Sequence, residues 1–148
     1  MKKINIYSNP EFDSPNKKLC QSIVRYTLNE ERVDFYQLSI IFTSDTYVSD
    51  LKKKFFLKDQ WTDVIAFPLH NDFEGKIEGD VYISMPTARE NAFQYNQPYE
   101  KEVARLIIHG VLHLIGYHDI SDEEKKNMSI MEDKILKEIK WELIFEKY

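Results

Sequence analysis

Apolar and polar positions repeat with two periods along this chain. Ile4–Tyr7 alternates, and Phe35–Thr43 is rich in aromatic and β-branched residues, so both predict strands. Between them, Ser14-Pro15 predicts a helix N-cap followed by proline at the first helical position. Leu19, Cys20, Ile23, Val24, Thr27 and Leu28 continue at helical spacing to about Arg32. Ser44–Phe56 predicts a second helix with Val48, Leu51 and Phe55 on one face. Asp63–Pro68 predicts a short buried strand ended by its proline, and Gly79–Ser84 another after a turn at Gly75. Pro86–Tyr95 and Tyr99–Ile115 predict helices, with Pro98 at the start of the second. Asp122–Phe145 predicts one long final helix whose stripe, Met128, Met131, Ile135, Ile139 and Leu143, is core. The expected class is α/β (α+β): a small mixed sheet with about five helices packed on it, in a single domain over residues 1–148.

Composition adds limits. Hydrophobic residues are 43% and charged residues 30% of 148, an ordinary balance for a chain that buries a core. No apolar run approaches the ~18 residues that span a bilayer, so no membrane role is expected. The N-terminal MKKINIYSNPEF has lysines but no apolar region after them, unlike a secretory signal; the expected address is the cytoplasm. Cys20 is the only cysteine, which fits a reducing compartment, and it lies on the apolar side of its helix. Any metal site must therefore use histidine and carboxylate. The formal net charge of −5 weighs against a nucleic-acid partner, although a substrate responds to the local field rather than the total.

Candidate chemistry concentrates in His109-Gly110-Val111-Leu112-His113-Leu114-Ile115-Gly116-Tyr117-His118-Asp119. Four residues make just over one helical turn, so His109 and His113 project from the same face. Polar rings in so apolar a stretch need partners, and a shared metal supplies them. Gly116 stands where a C-cap glycine turns the chain back, which lets a residue three positions later reach the metal. That residue is Asp119, with His118 beside it. The pattern resembles the extended zinc-protease motif H-E-x-x-H-x-x-G-x-x-H, but Gly110 replaces the general-base glutamate. This argues against peptide hydrolysis by that mechanism and leaves hydrolysis of another bond open.

H-G-x-L-H-L-x-G-Y is similar to the signature of the YbeY family, bacterial metal-dependent endoribonucleases of rRNA maturation. Two upstream segments add to the resemblance: Thr62–Pro68 (TDVIAFP) resembles the family's T-D-V-L-S-F-P strand, and Gly79–Ser84 (GDVYIS) its G-D-I-x-I-S strand. Glu102 precedes His109 by seven residues, as in many members. Resemblance is clear over about residues 44–136. It implies a zincin-like domain with its metal site on a helix near the C-terminus, and one zinc ion per chain. It also implies an endoribonuclease specific for single strands, acting on small-subunit rRNA 3′ ends and in ribosome quality control, with rRNA precursors and the ribosome or its small subunit as partners.

The chain departs from the family at two places. Members usually close the motif with G-Y-D-H; here it reads G-Y-H-D. By position Asp119 takes the third ligand's place, giving His109, His113 and Asp119 as metal and catalytic residues, with His118 the alternative third ligand. Aligning Lys58-Asp59 with the family's K-D puts Phe56 where many members carry an arginine thought to help at the phosphate. Lys52, Lys53, Lys54 and Lys58 lie nearby, and Arg105 is one turn before His109; Arg105, Lys53 and Lys58 are the expected substrate contacts. Asp63, Asp80, Glu102 and His118 are candidates for moving protons, and Trp61, Tyr82 and Tyr117 for stacking on bases or for simple burial. Two other readings stand: a ribosome-assembly binding factor with a structural metal, and a zincin-like hydrolase of a different bond.

Overall fold

Strand β1 (Lys2–Ser8) runs parallel to β2 (Phe35–Thr43), β2 runs parallel to β4 (Lys76–Ser84), and β3 (Val64–Pro68) closes the other edge antiparallel to β4. The spatial order is β1-β2-β4-β3. The computed structural model describes residues 2–56 (Phe56 by its backbone alone), 63–69 and 76–146. Lys58, Trp61, Thr62 and Gly75 therefore lie outside the described residues. Among the described residues, five helices connect or cover the strands: α1 (Lys17–Glu30), α2 (Asp45–Phe56), α3 (Met85–Gln94), α4 (Tyr99–Ile115) and α5 (Asp122–Leu136).

The pleat decides what each helix covers. Ile4 and Ile6, Leu38, Ile40 and Phe42, and Ile77, Val81 and Ile83 alternate onto one buried face. Helices α1 and α4 pack against that face, and α2 lies against β3 and β4. Helix α4 is apolar almost all round, and Val103, Leu106, Ile107, Ile108, Val111 and Leu112 are wholly buried. Each such side chain contributes ~1.5–3 kcal/mol by leaving water, so α4 is anchored on several sides. Groups on its one polar strip are thereby held on a stiff platform. Cys20 is buried as expected, and burial pushes its thiol up to about 12.

Several boundaries differ from the expectation. Helix α1 begins two residues later than Ser14-Pro15 predicts, at Lys17, because Asn16 is the N-cap. Its side chain accepts from Leu19 N–H at 2.9 Å, while its own N–H and amide donate to the carbonyls of Ile144 and Glu146. The cap is thus fixed by the distant C-terminal segment. β3 is an edge strand with only Ile65 buried, rather than a fully buried one.

The final helix is the largest correction. It stops at Leu136 instead of Phe145, and a short 3₁₀ turn at Trp141–Leu143 follows. A straight continuation would carry Phe145 ~13 Å beyond Leu136, past the α4 surface that α5 packs on. Turning back instead buries Ile144 completely and stacks Phe145 on Tyr99 with centroids 5.2 Å apart. The start of α5 needs no tertiary help: Ser121 and Glu124 cap each other reciprocally in a capping box.

Candidate metal centre

The helical spacing delivers what it promises. His109 and His113 leave α4 one turn apart, with their Nε2 atoms 3.0 Å from each other. Helix α4 then ends at Gly116, whose φ of 120° is strained for any residue with a side chain. Gly116 and Tyr117 N–H donate back to the carbonyl of Leu112, and the chain reverses over the histidine face. The reversal places Asp119 Oδ2 3.4 Å from both Nε2 atoms. His109, His113 and Asp119 form the one group of potential metal ligands found among the described residues, its ligand atoms all within 4.8 Å of one another. His118 is exposed on the same loop and is not part of that group.

Each ring is gripped from behind. His109 Nδ1–H donates to Glu132 Oε2 at 2.5 Å, and His113 Nδ1–H donates to the Tyr117 carbonyl at 3.0 Å. Both hydrogen bonds place the ring proton on Nδ1 and leave an Nε2 lone pair facing the other ring. Two lone pairs and a carboxylate oxygen converging on one point repel one another unless a cation sits among them. The donor set is therefore what a divalent ion of borderline softness requires. Burial, and then the nearby His109, hold the pKa of His113 below the usual histidine value against the pull of Asp119. The ring is kept in the unprotonated form that a metal binds.

Behind His109 lies a charge network. Glu132, its side chain 4% exposed, gives its other oxygen to Arg105 Nη1 at 3.3 Å. Arg105 also donates twice to Glu102, at 2.8 and 2.7 Å, and stands 3.9 Å from Asp63. Asn91 joins Asp63 and Glu102 by donating to both. Burial alone would lower the Arg105 pKa, but the Glu102 hydrogen bonds and the charges of Glu102, Glu132 and Asp63 raise it. Glu132 escaped the sequence reading. The signal was a carboxylate on the buried stripe of α5, four residues after Met128 and three before Ile135.

Gly110 explains the missing glutamate in packing terms. A Cβ there would meet the Cγ atoms of Val81 on β4 and approach Val64 on β3. The position brings helix and sheet into contact and has no space for a catalytic side chain. Strand β3, α2 and the ligand loop together bound a cleft of about 450 Å³, into which His113 and Asp119 open beside Lys52, Val64–Ala66 and His118.

The other expected residues distribute as follows. Arg105 is committed to the carboxylates behind His109, and Lys53 is exposed on α2 without lining the cleft. Lys58 and Trp61 fall outside the described residues. Of the four candidates for proton transfer, His118 lines the cleft, whereas Asp63 and Glu102 belong to the Arg105 network. Asp80 sits on β4 in the register that alternates with buried Gly79 and Val81, and its pKa is raised by burial. Tyr82 packs with Tyr47 and Phe67, and the Tyr117 phenol is pushed up to about 12 by burial and its hydrogen bond with Glu31.

The chain is similar to known proteins over most of its length. A family model described as Endoribonuclease YbeY matches residues 3–140. Among curated relatives, Endoribonuclease YbeY of Carboxydothermus hydrogenoformans is 37% identical over 133 residues, covering 89% of this chain and 92% of its own. The Persephonella marina protein of that name is 35% identical over 131 residues, covering 86% of both chains. The Aquifex aeolicus one is 41% identical over 105 residues, 70% of each chain. A solution structure from Thermotoga maritima superposes with a TM-score of 0.58 at 28% identity, covering 91% of this chain and 87% of that one.

Proposed function

This chain belongs to the Endoribonuclease YbeY family, and from that premise we propose that it is a metal-dependent endoribonuclease cleaving single-stranded RNA. The observation that carries the reading is the convergence of His109 Nε2, His113 Nε2 and Asp119 Oδ2 at the wall of an open cleft. We assign these three residues as the ligands of one zinc ion per chain. Small-subunit rRNA 3′ ends are the proposed substrate and the ribosome the proposed partner, in the cytoplasm. The chain is proposed to act as a single domain over residues 1–148. No helix among the described residues is long and apolar enough to cross a membrane.

When bound, zinc supplies Lewis-acid chemistry, lowering the pKa of a coordinated water toward ~7 and offsetting charge on a phosphoryl transition state. The chain's own residues do the rest. Glu132 and the Tyr117 carbonyl hold the imidazoles in the liganding tautomer. Asp119 in place of a third imidazole makes the donor set harder and lowers its net charge by one. Gly110, filled by contact with the sheet, removes the glutamate that zinc proteases use as base, which disfavours an amide substrate.

The test is metal content and cleavage of an unstructured RNA carrying a small-subunit rRNA 3′ end. Wild type should carry one equivalent of zinc and cleave. Asp119→Ala should lose most of its metal, while His118→Ala keeps it. Equal loss in both variants, or retention in Asp119→Ala, would overturn the choice of Asp119 over His118 as the third ligand.

A further inference from the structure

Cleavage of an RNA strand needs positive charge where the backbone lies, and this chain is acidic overall. The liganding group brings a carboxylate, Asp119, to the cleft wall. Among the described residues that line the cleft, Lys52 is the one lysine or arginine. Among the described residues, the other cations nearby are engaged or do not line the cleft. Arg105 is held by Glu102 and Glu132, Lys54 lies over the Phe55 ring at 5.4 Å, and Lys53 is exposed away from the cleft lining.

Lys52 itself makes no ion pair among the described residues. Its place on α2 follows from packing. Val48, one turn earlier, is wholly buried and Leu51 is half-buried, which sets the rotation of the helix. Lys52 is half-buried and lines the cleft, while Lys53 and Lys54 are exposed and do not line it. A lysine ammonium is a mobile point charge, suited to one phosphodiester oxygen rather than to a fixed bidentate partner.

We propose that Lys52 is the phosphate-binding residue of the cleft, holding the nucleotide backbone of a single strand beside His113 and Asp119. The assignment rests on the nuclease reading above and adds a residue that contacts substrate without contacting metal.

The test compares Lys52→Ala, Lys52→Glu, Lys52→Arg, Lys53→Ala and Lys53→Glu, each zinc-loaded, on a labelled single-stranded RNA. The readouts are KM, kcat and the Kd from stopped-flow anisotropy recorded before cleavage. Lys52→Ala should raise KM and Kd ~10-fold with kcat within about 2-fold and zinc content unchanged. Loss of one phosphate contact should also flatten the plot of log Kd against log salt by about 0.7. Lys52→Glu should be worse, Lys52→Arg close to wild type, and both Lys53 variants within about 2-fold. Equal shifts for Lys52→Glu and Lys53→Glu would mean that only the general field of α2 matters, and the proposal would be wrong. So would an unchanged Kd in Lys52→Ala. A wild type that binds RNA without cleaving it would overturn the nuclease reading, while the Kd series would still decide the role of Lys52.

Discussion

Glu132 divides its carboxylate between a cation and an imidazole, one oxygen on Arg105 and the other on His109. The division gives it two separable jobs, and substitutions should separate them. Glu132→Gln keeps the shape and a hydrogen-bonding oxygen but removes the charge. It should leave a folded protein whose zinc affinity, measured by competition with a chelator, falls ~10–100-fold. Glu132→Ala strips a partner from a buried network and should cost ~3 kcal/mol of stability in urea unfolding. An Ala variant as stable as wild type would show that the network is not structural. His113 makes a second prediction at this scale. Its folded pKa lies below the unfolded value of ~6.5, so in that window the unfolded chain binds more protons. The metal-free protein should therefore be stable above pH ~6.5 and lose stability as pH falls toward the lowered folded value. The same series on His113→Gln should show a shallower decline; identical slopes would mean that His113 is not the group responsible. The two histidines and Asp119 were legible because helical spacing and a C-cap glycine are local facts. Glu132 was not, since its importance appears only once α5 is known to cross α4 at His109.

Elements are held by close contacts that single letters reveal only partly. Gly110 looked like a weak point in α4 and is instead the place where helix and sheet touch. Gly110→Ala should destabilise by ~1–3 kcal/mol through collision with Val81, despite the ~1 kcal/mol gain in helix propensity. A stabilised Gly110→Ala protein in thermal unfolding would contradict that contact. The end of α5 carries the opposite lesson. Ile139 and Leu143 continue a helical stripe, so periodicity extends the helix to Phe145, but the chain breaks after Leu136 to bury Ile144. Periodicity records which positions are apolar, not whether the surface that covers them extends so far. Ile144→Ala should cost ~2–4 kcal/mol, and because the Ile144 carbonyl accepts from Asn16, it should also loosen the start of α1 in hydrogen exchange.

At the scale of the molecule, the sheet and its helices are arranged so that the buried face of β1, β2 and β4 fixes α4, and α4 fixes the two imidazoles. The class of fold could be read from alternating strand and helix patterns. The order β1-β2-β4-β3, with β3 on the open edge beside the cleft, could not, since pairing depends on contacts remote in sequence. Charge shows the same limit: a net −5 argued against nucleic acid, whereas among the described residues the cleft presents Lys52, without an ion pair there, near the ligands. The measurement closest to the central claim is the cleavage rate of a single-stranded RNA by zinc-loaded wild type and by His113→Ala, with folding of the variant confirmed by circular dichroism. The variant should be folded, and its rate should fall by ~10³-fold or more together with its zinc content. A folded His113→Ala protein that has lost its metal and still cleaves at the wild-type rate would contradict that claim.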